Sequence, residues 1–176
     1  MSVKVDKSGR RYIEVEVEVP GTPEEVWQAI ATGGGVSSWF VPSEIDQREG
    51  GIVTSQFGPG MEGRAVITDW EPPRKFAAES HGLGEKAPAM ATEWHVEARS
   101  GGVCVVRVVH SLFTESDEWD NQLESIESGW PIFFKILRMY FSNFRGQACS
   151  NIQLLEFSSQ DKPGATKAMK IGRAHV

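Results

Sequence analysis

Cysteine is almost missing from the chain: Cys104 and Cys149 are the two among 176 residues. Two thiols make neither a disulfide framework nor a metal cluster. Neither lies among the basic residues that lower a thiol pKa, so both read as structural. Long apolar runs are missing too, with nothing near the roughly 20 residues that span a bilayer. The opening MSVKVDKSGRRYIEVEVEV holds no signal-peptide core, so the expected compartment is the cytoplasm. Positive charge is in deficit, with 18 Lys and Arg against 24 Asp and Glu and a net charge of −6. A general nucleic-acid binder needs a basic surface, so neither nucleic acid nor membrane insertion is expected. Catalytic signatures are equally scarce. There is no GxSxG elbow, and Gly33-Gly34-Gly35 lacks the lysine and spacing of a phosphate loop. No spacing among the histidines brings three or four ligands together for zinc. No cofactor or metal is implied.

What remains is a globular composition, 40% hydrophobic and 24% charged, of a length that fills one domain. From Arg11 the chain alternates strictly: Ile13, Val15, Val17 and Val19 face one side, Tyr12, Glu14, Glu16 and Glu18 the other. That is a half-buried strand with a wet acidic face. Pro20-Gly21 ends it. Thr22-Pro23-Glu24-Glu25 then starts a helix, with Thr22 as N-cap, Pro23 at the first position and Glu25 completing a capping box. This helix is expected to end before the glycine run, with a short turn following through Phe40. Further strands are expected over Val41–Asp46, Gly51–Phe57, Gly63–Trp70, Lys75–Ser80, Ala89–Ala98 and Val103–Leu112, separated by Gly- and Pro-rich turns.

The last third is helical. Trp119, Leu123, Ile126, Trp130, Phe133, Leu137, Tyr140 and Phe144 repeat at spacings of four and three. Ser116, Asp117 and Glu118 give a capped, acidic start. Pro131 cannot donate to the carbonyl of Glu127. The pattern therefore predicts a short helix, a kink or break, and a long helix to about Asn151. Five aromatics in the stripe are too bulky for a coiled-coil seam and suit the covering of a sheet.

The order strand, capped helix, meander, long helix describes a helix-grip fold. TPEEVWQAI after the first strand, SSWF, VITDWEPPRKFAAES and SGWPIFFKILRMYFSNF resemble the activator-of-Hsp90-ATPase-homologue-like branch of the START/Bet v 1-like (SRPBCC) superfamily, over about Arg11 to Phe157. The resemblance implies an α+β domain, with a curved antiparallel sheet of six to seven strands around the last helix. It also implies a hydrophobic cavity between sheet and helix. Residues 1–10 are then an N-terminal tail, 11–157 the domain, and 158–170 a linker or the start of a missing segment. The final IGRAHV, residues 171–176, matches one reading frame of a common short-read sequencing adapter, so it is expected to be an artefact of a truncated gene.

Trp39, Trp70, Trp94, Trp130, Phe133, Phe134 and Leu137 are the residues expected around the cavity, with Trp27 and Trp119 apart from it. For any single one of them, core packing is the plainer account. The fold raises the odds for the group, since a long helix over a concave sheet leaves volume to fill. His110 shares a face with Cys104, Val106, Val108 and Leu112 and so points toward the helix. It would orient a polar ligand, serve as the acid–base candidate of an enzyme, or simply bond to a neighbour. Thr92 is the other polar group expected there. His81 lies in a glycine-rich loop and His95 on a wet face.

The expected function is binding of a small hydrophobic or amphipathic molecule by a protein of bacterial type, rather than catalysis. A cyclase- or hydrolase-type enzyme using the same cavity is the first alternative. A co-chaperone-like module acting on a protein partner through its surface is the second.

Overall fold

The structure is a computed structural model that describes residues 3–81, 88–114, 116–152 and 163–164. The expected linker and the terminal hexapeptide lie almost wholly outside the described residues, as does most of the loop after His81.

The alternating first strand forms β2 (Arg11–Pro20), and the two-residue strand β1 (Lys4–Val5) pairs along its outer edge. The stretch read as a tail thus contributes an edge strand. Helix α1 (Pro23–Ala31) starts on the expected capping box. The Thr22 hydroxyl accepts from the Glu25 N–H at 3.3 Å, and the Glu25 carboxylate accepts from the Thr22 N–H at 2.9 Å. The glycine run, expected to end in a turn, forms a second short helix, α2 (Gly33–Ser37). The reason is close approach: a Cβ on Gly35 would stand 1.9 Å from the carbonyl oxygen of Gln28, so only glycine lets α2 fold back on α1.

The meander follows as β3 (Ser43–Ile45), β4 (Ile52–Gln56), β5 (Glu62–Glu71), β6 (Lys75–Ser80), β7 (Met90–Arg99) and β8 (Val103–Leu112). All pairings are antiparallel, in the order β1-β2-β8-β7-β6-β5-β4-β3. The sheet therefore has eight strands. The three-residue turn between β7 and β8 depends on Gly101 and Gly102, both at positive φ (79° and 73°). The outer face is charged, with Arg107 set between Glu14 and Glu16 and Lys75 against Asp69. Val105 and Val109 nonetheless lie buried on that face, because the stems of long charged side chains cover them.

A 3-10 turn (Asp117–Trp119) leads into α3 (Asp120–Met139), which runs unbroken through Pro131. The expected break does not occur. Leu123, Trp130, Phe134 and Leu137 bury one continuous stripe against the sheet, and that burial outweighs the roughly 3 kcal/mol a helical proline costs. A π-helical turn (Tyr140–Phe144) completes the element, and the chain leaves it at Arg145 and Gly146, not near Asn151. The apolar stripe stops at Phe144, so further turns would bury nothing. Both ends are tied down. Arg11 pairs with Asp120 at the start, and Arg145 grips the Glu25 carboxylate (3.0 and 2.9 Å) and the Pro20 carbonyl (2.9 Å) at the finish. This is a helix-grip architecture, with α3 lying across the concave face of the sheet.

Candidate functional site

The sheet register sets two neighbouring rows across the concave face. One row runs Ile13, His110, Thr92, Ala78, Ile67 through β2, β8, β7, β6 and β5. The next runs Val15, Val108, Trp94, Phe76, Trp70 through the same strands. The second is filled by aromatics. Trp94 stacks on Phe76 (centroids 6.3 Å, 13°), and Phe76 meets Trp70 at 5.5 Å. The first row steps down instead from an imidazole to a hydroxyl and a methyl.

Above these rows, α3 lowers Trp130. Its ring meets Trp94 edge-on at 5.3 Å and lies nearly parallel to the His110 ring at 5.6 Å. The indole N–H donates to His110 Nε2 at 2.9 Å, and His110 Nδ1 lies 3.0 Å from the Thr92 hydroxyl. An indole N–H is only ever a donor, so Nε2 accepts and the ring proton sits on Nδ1, which donates to Thr92. His110 is 7% exposed, and burial pushes its pKa down to about 4, so the ring is neutral near pH 7. Both nitrogens are engaged. The ring has neither a free lone pair nor a free proton, so the acid–base role considered for His110 has no geometric support.

The other expected residues divide. Trp39, Trp94, Phe133 and Phe134 join the cluster around Trp130 and His110. Trp39 also has a structural task, its indole N–H donating to the Ala29 carbonyl at 2.9 Å. Leu137 is wholly buried and belongs to the core. Trp70 lies elsewhere. It packs at 5.0 Å against Trp27 of α1, and the two line an open cleft of about 350 Å³ with Glu24, Gln28, Gln47, Pro72 and Pro73. The cleft is on the α1 side, not under α3.

Phe40 is the residue that sequence reasoning passed over. It stacks on Trp130 (5.8 Å, 21°), meets Phe133 edge-on at 4.6 Å and touches Phe57 at 5.9 Å. It stands beside Trp39 in SSWF, just after the helix that the glycine run opens, and the two rings meet at 5.5 Å. The floor below it was passed over as well. Ala65, Gly63 and Ser55 continue the small-residue surface from Ala78 by strand alternation and cross-strand pairing. Thr92 is held in a strand paired on both sides, yet it is half-buried, as is Ala65. Small side chains of β4 and β5 thus lie on the side of the sheet where the rings of Trp130, Phe133, Phe40 and Phe57 cluster.

Among the described residues no group of three or more His, Cys, Asp or Glu converges as a metal site, and no helix is long and apolar enough to cross a membrane. Cys104 is buried, donates to the Gly21 carbonyl at 3.3 Å and has its thiol pKa raised by that burial.

Residues 20–142 match the model of the family described as activator of Hsp90 ATPase homolog 1-like protein. The chain belongs to that family. Solved structures of the same fold include CalU16 from Micromonospora echinospora, at 22% identity over 80% of this chain and 83% of that one, TM-score 0.62. The Aha1 dimer from Colwellia psychrerythraea is similar at 19% identity over 77% of this chain and 98% of that one, TM-score 0.63. DynU16, of the dynemicin biosynthetic locus, is similar at 20% identity over 78% of this chain and 49% of that one, TM-score 0.62. No curated protein matches the chain.

Proposed function

We propose that a groove between α3 and the β4–β7 part of the sheet binds a small apolar or amphipathic molecule. The observation that carries the reading is the half-buried Thr92 in the middle of an eight-stranded sheet, among small residues and beneath an aromatic wall. An aromatic wall over a floor of alanine and glycine suits a flat or branched hydrocarbon skeleton. Binding would draw on apolar burial at roughly 25 cal/mol per Å². Membership of the family, and a relative's place in a biosynthetic locus, agree with a cytoplasmic carrier or sequestering role for such a molecule. The enzyme alternative is weaker, because the acid–base candidate His110 is fully engaged. Native mass spectrometry of the freshly purified protein tests the reading. We expect a second species heavier by a few hundred daltons that collapses to the chain mass on denaturation. Chain mass alone, with no tryptophan fluorescence change on adding apolar probes, would count against it.

A second reading has its own observation. Ile132, Ile136 and Met139 are 64%, 41% and 57% exposed along the outward side of α3. An apolar stripe on a solvent-facing helix suits a protein partner. Ile132→Glu with Ile136→Glu should leave ligand binding intact and abolish any association seen by light scattering or pull-down.

A further inference from the structure

We infer that the groove selects apolar molecules carrying one neutral hydrogen-bond acceptor, a carbonyl or ether oxygen, and that the Thr92 hydroxyl proton is the group that reads it. The inference rests on the groove being the ligand site and adds the chemistry of its ligand.

The argument is a directional chain of donors. Trp130 Nε1–H has no choice but to donate, and it donates to His110 Nε2. The neutral ring therefore holds its proton on Nδ1, and that proton goes to Thr92 Oγ1. A threonine hydroxyl has one proton and two lone pairs, so one lone pair is now committed and the proton is not. Among the described residues the Thr92 hydroxyl has no second partner. Its half-buried position lets that proton reach the groove. Trp130 and His110 thus act as positioning residues: they fix Thr92 as a donor. Of the other groove residues, Ala65, Ala78, Phe40, Phe133 and the Trp130 ring are apolar toward the ligand, and the Ser55 hydroxyl is bonded to that of Ser43. Among the described residues no hydrogen bond or ion pair brings a cation to Thr92, so a carboxylate there would be stripped of water without compensation, and a neutral acceptor is preferred.

The test uses two probes of one shape, acetophenone and ethylbenzene, titrated by NMR into the full chain. The account expects acetophenone to bind more tightly. It also expects the acetophenone-to-ethylbenzene affinity ratio to fall about tenfold in Thr92→Val and to persist in Thr92→Ser. Comparing ratios cancels the different hydration of the two probes. A second readout needs no ligand: ¹⁵N correlation spectra of the wild-type protein should show His110 protonated at Nδ1. Trp130→Phe supplies an independent variant. With the indole donor gone, the ring is free to carry its proton on Nε2, Thr92 then donates to Nδ1, and the ratio falls. If both probes bind with a ratio unchanged in Thr92→Val, the selectivity is overturned while the groove stands. If neither probe binds, the groove reading fails and takes the inference with it. His110 protonated at Nε2 in the wild type would overturn the donor chain directly.

Discussion

The two rows on the concave face lie two residues apart along β2, β8, β7 and β6 and three apart along β5, yet they are built differently. The row through Trp94 and Phe76 ends in Trp70 under α1 and is joined ring to ring, with Phe76 and Val108 buried and Val15, Trp94 and Trp70 half-buried. The row through His110 steps down to Thr92 and Ala78 before ending on Ile67; Ile13, His110, Ala78 and Ile67 are buried, and Thr92 alone is half-buried. The backbone is the same sheet in both, so the side chains decide how each row is packed. The lesson is that side-chain size alone does not mark open space: the small Ala78 is buried, and its neighbour Thr92 is not.

The largest effect should come from opening a hole in the aromatic row. Phe76 is 3% exposed and touches Trp27, Trp70 and Trp94. Phe76→Ala should lower stability by about 3–5 kcal/mol in urea unfolding, since three large rings border the hole. A loss below about 1 kcal/mol would mean that this row is no more tightly packed than its neighbour.

Acid probes the other row. Above about pH 6.5 His110 is neutral in both folded and unfolded chains, and its burial carries no penalty. Below that, the unfolded chain takes up a proton that the folded chain refuses until about pH 4. Stability should therefore fall as pH drops through this window, by up to about 3 kcal/mol at its lower end. His110→Gln should flatten that part of the profile. An unchanged slope in the variant would show that other groups drive it.

The smallest stability effect and the sharpest functional one should come from enlarging the floor. Ala65→Leu extends a side chain into the groove, so stability should change by less than about 1 kcal/mol. Probe binding should be lost. If a leucine at this position destabilised the protein by several kcal/mol, the space over Ala65 would already be occupied.

Much of this was legible in the sequence. The Thr22–Glu25 capping box, the wet acidic face of β2 and the inward aim of His110 follow from local periodicity, and the structure bears them out. The continuity of α3 was not legible, because Pro131 is a local signal and the burial of Trp130, Phe134 and Leu137 that overrides it is tertiary. The helix at Gly33–Ser37 was missed for the converse reason: glycine reads as a breaker until its neighbour's backbone is seen at contact distance. Trp70 shows a third limit. A bulge between Ile67 and Asp69 returns it to the concave face, but its position along β5 carries it past the groove to Trp27. The groove floor had no signal of its own. Ala65, Gly63 and Ala78 are unremarkable singly and meet only through strand register.

The comparison of the two rows is tested most directly by mapping where a small apolar probe binds. Acetophenone titrated into protein labelled at methyl groups and tryptophan indoles should shift the Ala65, Ala78 and Thr92 methyl signals in parallel and saturably, while the Trp70 indole stays still. Saturable shifts confined to Trp27 and Trp70, with the three methyls unmoved, would contradict the account and move the site to the α1 side.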